Sequence, residues 1–128
     1  MNVKNPYLKH KYIPDEEQQL IKDGVIPENK AFFVEWVPIT SKVDIELKDH
    51  NNKIFQDDTT QARMVQMLVG KKKEIITSNC IVGWGNLFCE GEEISFGLDK
   101  IDYILPVLDE VVSYIEKESY LTDSQIKN

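Results

Sequence analysis

The chain has 128 residues, of which 41% are hydrophobic and 29% are charged, and its formal net charge at pH 7 is −7. This length and composition predict one globular domain and exclude wholesale disorder. The acidic balance argues against a nucleic-acid partner, because phosphate binding requires clustered Lys and Arg. The chain begins without the apolar core of a signal peptide and has no run of apolar residues that would span a bilayer. We therefore expect an intracellular protein without a membrane partner.

The N-terminal quarter predicts a short helix followed by a strand. Pro14 suits a first helical turn and Gly24 suits the left-handed position after the last one, so residues 14–23 are expected to be helical. Residues 30–39 are rich in aromatic and β-branched side chains and are stopped by Pro38, which is typical of a strand.

A second strand is predicted over residues 42–49 from an alternation of side chains. Val43, Ile45 and Leu47 alternate with charged residues, as in a strand with one solvent-exposed face. The polar residues at 49–53 have the composition of a turn.

The middle of the chain predicts a helix, a long strand and a hairpin. Capping side chains precede the helix formers of residues 58–69, and Gly70 with three lysines predicts the end of this helix in a solvated turn. Residues 74–84 are mostly β-branched and are expected to form a strand. The chain is then expected to turn at Gly85, and Glu90-Gly91 to form the turn of a hairpin.

From Asp99 onward the period of the apolar residues changes to that of a helix. We expect this amphipathic helix to be broken at Pro106, because proline removes a backbone donor. Periodicity is lost after Ser119, which predicts a flexible tail over residues 121–128. The apolar positions of the helix are Ile101, Ile104, Leu105, Leu108, Val111 or Val112, and Ile115.

Residue types that carry chemistry are sparse. His10 and His50 have no partners at metal-ligand spacing, and the spacing of Cys80 and Cys89 matches neither a redox motif nor a zinc motif. We expect two buried free thiols and surface histidines. Nucleotide-binding and nucleophile motifs are missing, and the paired carboxylates fall in caps, turns and exposed helix faces. These observations predict no enzyme activity, no cofactor and no metal.

Trp84 lies between two glycines, Gly83 and Gly85, which allow a bulge or a close backbone approach. The structural interpretation is a core tryptophan that closes a β-meander. The functional alternative is an aromatic hot spot facing a partner, since tryptophan is enriched at such places.

The order of these features resembles the tail assembly chaperones of long-tailed bacteriophages. The matching features are Val82-Gly83-Trp84 at the end of a strand, the acidic glycine turn and Ile94-Ser95-Phe96 over residues 90–96, and the amphipathic helix over residues 101–115. The resemblance covers mainly residues 82–128.

This resemblance implies a protein without an active site that acts in the host cytoplasm. Tail assembly chaperones coat the long tape measure protein, keep its apolar helices from aggregating and recruit tail tube subunits. Such binding requires an apolar surface that adapts to different partner segments. Met64 and Met67 are counted among the partner-binding candidates because the flexible methionine side chain adapts to different packing partners. The partner-binding candidates are Trp84, Phe88, Met64, Met67, Leu108, Val112 and Ile115.

The expected fold is α+β: a small antiparallel β-meander packed with about three helices, the last of them amphipathic. Residues 1–30 are expected to form an N-terminal arm with a short helix, and residues 31–120 a single domain. Two other functions fit the same pattern: a structural subunit of the virion, such as a head-tail connector, tail or decoration protein, and a small phage inhibitor of a host defence protein. The chain could act as a homo-oligomer or within a larger assembly.

Overall fold

The described part of the chain contains four α-helices and five short strands, and so has the α+β fold that the sequence predicts. This computed structural model describes the backbone of residues 1–3, 5–54 and 61–127, and the side chains of residues 1–3, 5–49 and 70–120. The helices are α1 (Asp15–Lys22), α2 (Ser41–Ile54), α3 (Gln61–Cys80) and α4 (Leu105–Lys127). The strands are β1 (His10–Tyr12), β2 (Phe33–Trp36), β3 (Ile81–Gly85), β4 (Phe88–Cys89) and β5 (Glu92–Glu93).

Strands β1, β2 and β3 form an antiparallel sheet in that order, and β4 pairs with β5 in a separate hairpin. Tyr12 lies opposite Val34, which lies opposite Trp84, so these three side chains share one face of the sheet. All three are buried. The sequence did not predict β1. This strand, residues 10–12, lies at one edge of the sheet.

The hydrophobic core lies between this face of the sheet and helices α2, α3 and α4. Ile76 of α3 and Val111 and Ile115 of α4 are completely buried. Two ion pairs join α3 to α4 at the surface: Lys72 Nζ lies 2.6 Å from a carboxylate oxygen of Glu116, and Lys73 Nζ lies 2.7 Å from one of Asp109.

The predicted strand over residues 42–49 is wrong, because this segment belongs to α2. Val43 and Leu47, four residues apart, are buried, whereas Ile45 is 59% exposed. One helical face is therefore buried, and the apparent alternation arose because the pair at spacing four also fits a period of two. The predicted turn at 49–53 lies in the same helix.

The predicted helix end at Gly70 and strand start at residue 74 are also wrong, because α3 continues to Cys80. Ile75, Ile76 and Cys80 are buried, so the β-branched residues occupy the buried face of a helix. Burial of this face and the two ion pairs to α4 outweigh the strand propensity and the cost of a helical glycine, which is about 1 kcal/mol. The predicted helix start at residues 58–60 lies outside the described residues.

Two local predictions are confirmed in position. The hairpin turns at Glu90 and Gly91, which have φ angles of 51° and 84°. The predicted break at Pro106 corresponds to the boundary between a 3₁₀ segment (Leu98–Ile104) and α4, which begins at Leu105. Pro106 lies in the first turn of α4, where a missing donor costs little. Instead of ending near Ser119, α4 extends to Lys127, so helical backbone replaces most of the predicted tail.

Two glycines should respond oppositely to substitution by alanine. A Cβ at Gly85 would lie 2.4 Å from the Phe33 ring, whereas one at Gly70 meets no described atom within 4 Å. We expect Gly85→Ala to lower the free energy of unfolding by about 1–3 kcal/mol through overpacking. Gly70→Ala should raise it by about 0.5–1 kcal/mol, since alanine favours the helix. Urea unfolding followed by circular dichroism measures both, and equal effects of the two substitutions would contradict this assignment.

Candidate functional site

Three of the partner-binding candidates lie on α4 and are buried in the core. Leu108, Val112 and Ile115 are 4%, 7% and 0% exposed. They face the sheet and α3 and stabilise the fold. In this conformation they are therefore not accessible to a partner, because burial removes them from contact with other molecules.

Trp84 is a core residue, as the structural interpretation of the sequence predicts. Its side chain is 7% exposed, and its indole Nε1 donates a hydrogen bond of 2.9 Å to the carbonyl of Ile94. The ring also packs edge-to-face against Phe96, with 4.9 Å between centroids. Trp84 therefore attaches the segment after the hairpin to the sheet.

Phe88 is the one candidate among the described side chains that faces solvent, with 59% of its surface exposed. It lies on β4, at the base of the hairpin. The side chains of Met64 and Met67 lie outside the described residues, so their role stays a prediction.

Phe88 borders an open groove of about 490 Å³. The groove lies between α1, the segment that leads into β2, the loop between β3 and β4, and the start of α4. Its lining is mainly apolar, with polar groups at the rim. The lining residues are Pro14, Glu16, Glu17, Leu20, Ile26, Lys30, Phe32, Asn86, Leu87, Phe88, Tyr103, Ile104, Pro106 and Val107.

The groove has a fixed interior and a charged margin that contains Glu16, Glu17 and Lys30. Phe32 and Ile104 are buried residues of the core, while Phe88 and Tyr103 are at least half exposed. Asn86 holds the intervening loop in place, because its side-chain amide donates hydrogen bonds to the carbonyls of Asn29 and Ala31 at 3.1 and 3.0 Å. The groove is therefore suited to apolar side chains.

Sequence reasoning found Phe88 and missed most of the rest of the groove. Leu20, Ile26 and Tyr103 come from three segments that are far apart in the chain. These segments come together only in the tertiary structure, so no local sequence pattern predicts the groove.

One carboxylate fastens the α1 wall of the groove to α4. An oxygen of Glu110 accepts a 2.6 Å hydrogen bond from the Tyr12 hydroxyl and a 2.9 Å hydrogen bond from the backbone N–H of Asp15. Tyr12 also stacks on Tyr114, with ring centroids 4.1 Å apart. The start of α1 is therefore held in position by a side chain of the last helix.

Burial is the main cause that raises the pKa of Tyr12, and the hydrogen bond and charge of Glu110 add to it. Burial also raises the pKa of the nearby Tyr114. Neither phenol lines the groove. These shifts bear on the pH dependence of folding more than on binding.

Among the described residues, no cluster of three or more His, Cys, Asp or Glu side chains could hold a metal ion. His10 packs against the Trp36 ring at 4.8 Å, and the side chain of His50 lies outside the described set. Within the described part of the chain, none of the helices has the length and apolar character to cross a membrane.

The two cysteines have different environments, which corrects the expectation of two buried thiols. Cys80 is buried, and burial raises its pKa to about 11, whereas Cys89 is exposed on β4. Both are free thiols.

Comparisons with known proteins found no match: no family model fits the chain, and no curated protein or solved structure is similar to it.

Stability should fall in alkaline solution, and Tyr12 should account for part of the fall. The pKa of the Tyr12 phenol is higher in the folded than in the unfolded protein. Its contribution to the free energy of unfolding is therefore complete well below the unfolded pKa of about 10, and it is lost as the pH rises above that value. Cys80 acts similarly from about pH 9. Tyr12→Phe should therefore flatten the slope above pH 10, by at most about 1.4 kcal/mol per pH unit, and change the slope at pH 8 to 9 little.

Urea unfolding of both proteins from pH 8 to pH 11 measures this slope. The phenylalanine ring preserves the stacking on Tyr114, so the comparison isolates the hydroxyl and its hydrogen bond to Glu110. Equal slopes above pH 10 would show that the Tyr12 hydroxyl is not held as described.

Thiol labelling should separate the two cysteines. Cys89 should react with a chromogenic disulfide reagent at the rate of a free thiol, because it is exposed. Cys80 should react at least about a hundredfold more slowly, since its labelling requires opening of the core. Cys89→Ser should remove the fast phase alone. Two fast phases in the folded protein would contradict the burial of Cys80.

Proposed function

We propose that this chain is a tail assembly chaperone-like phage protein, which binds apolar segments of a tape measure protein without catalysing a reaction. The sequence support is the resemblance over Val82-Gly83-Trp84 and residues 90–96. The structural support is that Asn86, Leu87 and Phe88, which lie between the two matched segments, line the open groove, although the residues of those two segments do not.

The exposure of Phe88 is the observation that carries the proposal. A large aromatic side chain that is 59% exposed beside an apolar groove loses unfavourable contact with water when a partner covers it. Half-exposed Tyr103 lies in the same groove and gives the same argument. Aromatic residues of this kind are enriched among the side chains that dominate binding energy.

The size and charge of the groove favour an amphipathic helix as the bound segment. The groove is open, has a volume of about 490 Å³ and is lined mainly by apolar side chains. An amphipathic helix presents apolar side chains at spacings of three and four residues, which insert into such grooves. Glu16 and Glu17 at the rim favour basic residues beside the inserted side chains.

A tape measure protein offers many such helical segments along one chain. Weak contacts repeated along a long partner give a stable coat without high affinity at any single site. In this proposal the coated complex forms in the host cytoplasm and recruits tail tube subunits, as the resemblance implies.

Phe88→Ala should weaken binding to helical peptides from the tape measure protein encoded in the same genome by about tenfold or more. Its melting temperature should stay close to that of the parent, because the ring is mainly exposed. Ile45→Ala is the matched control, since Ile45 is equally exposed but lies on α2 away from the groove. Fluorescence anisotropy of labelled peptides measures the affinities. Unchanged affinity of the Phe88 variant would reject the groove as the binding site.

The main alternative, a structural virion subunit, is separated by the composition of purified particles. An assembly chaperone is absent from mature particles, whereas a structural subunit is present in many copies. Quantitative mass spectrometry of purified particles therefore decides between the two. Detection of the chain at the copy number of tail or head proteins would favour the virion subunit.

A further inference from the structure

The first eleven residues carry a charge opposite to that of the remaining chain. Three lysines, Lys4, Lys9 and Lys11, occur in this stretch without any acidic residue. Since the whole chain carries −7, subtracting these three positive charges leaves −10 on the rest. Residues 1–9, named the arm here, contain two of these lysines and no acidic residue, and so form a basic segment attached to an acidic body.

The arm also displays apolar side chains that its own chain leaves uncovered. Val3, Tyr7 and Leu8 are 74%, 71% and 56% exposed. Tyr7 and Leu8 follow a turn in which the Asn5 side chain accepts a 2.9 Å hydrogen bond from the N–H of Tyr7, and the Asn5 carbonyl accepts one from Leu8. An aromatic and an aliphatic side chain are thus presented together next to a lysine.

The groove beside Phe88 has the complementary chemistry. Its interior is apolar, and the acidic residues Glu16 and Glu17 outnumber Lys30 among its charged lining residues. Exposed apolar side chains with a lysine and an open apolar groove with acidic residues are complementary in polarity and in charge. The same polypeptide carries both surfaces, and each is uncovered in the single chain.

The register of the sheet directs the arm away from the groove of its own chain. The arm joins β1 at His10, which lies opposite Trp36, whereas the groove begins at Pro14 and Phe32 on the other side of Tyr12. Four residues of extended chain between His10 and Pro14 correspond to roughly 13 Å. A second molecule is therefore the natural acceptor, and reciprocal exchange of two arms gives a closed two-fold pair.

We propose that the arm of one copy occupies the groove of a second copy. In this pair Tyr7 and Leu8 enter the apolar interior, and Lys9 lies beside Glu16 and Glu17. The exchange of arms covers the apolar groove of each copy while no other partner is bound. It does not depend on the proposed function; where both hold, a tape measure segment competes with the arm for the same groove.

Sedimentation equilibrium of the full chain, without any other partner, tests the exchange. The unaltered chain should form a dimer at micromolar concentrations. The double variant Tyr7→Asp, Leu8→Asp and the double variant Glu16→Lys, Glu17→Lys should each dissociate with a dimer Kd raised by at least about tenfold. Val25→Asp is the matched control and should remain dimeric, because Val25 is 64% exposed but belongs to neither surface.

Mixing the two double variants gives the decisive measurement. Each has one intact surface, so the mixture should contain heterodimers joined by a single arm, whereas neither variant dimerises alone at the same concentration. Circular dichroism confirms that both variants keep their helices. A monomeric parent chain, unaltered dimerisation of either double variant, or a folded mixture without heterodimers would overturn the exchange. Failure of the monomeric variant Tyr7→Asp, Leu8→Asp, whose groove is free, to bind tape measure peptides would overturn the proposed function alone.

Discussion

The structure depends on the apolar stripe of α4. The sheet has only three short strands, and such a sheet is not stable without a hydrophobic layer against it. Leu108, Val111 and Ile115 belong to the same buried cluster as side chains of the sheet and of α3. Removing any one of these side chains would leave a cavity at the junction of sheet and helices, at a typical cost of about 2–5 kcal/mol for a buried isoleucine or leucine.

This use of α4 limits where the protein can bind other molecules. A side chain that holds the sheet in place is not also available to a partner unless the fold opens. The apolar face of the last helix, which the family resemblance makes attractive, is therefore committed to the core. The surface that remains lies beside the first turn of α4, where Tyr103 and Phe88 are uncovered. Because the apolar face of α4 is buried in the core, the candidate binding site is the groove and not the helix.

Sequence patterns predicted the structure well where a single period or a specific turn was present. The stripe over residues 101–115 fits only a helix, and the dipeptide Glu90-Gly91 fits a tight turn with positive φ angles. Val43 and Leu47 fit both a strand and a helix, so the surrounding structure decided between them. Ile75 and Ile76 prefer strands intrinsically, but burial against α4 outweighed that preference. The groove was predictable only through Phe88, because its other walls come together through tertiary packing.

The Glu110 carboxylate joins parts of the chain that are far apart in synthesis. Its hydrogen bonds reach Tyr12 and Asp15, which precede it by 98 and 95 residues. During translation β1 and the start of α1 therefore emerge long before the side chain that fixes them. Pairing over such a sequence separation slows folding, because the intervening chain must first be ordered. In a nascent molecule β1 can pair with β2 early, but Tyr12 and the start of α1 lack their hydrogen bonds to Glu110 until α4 has been synthesised.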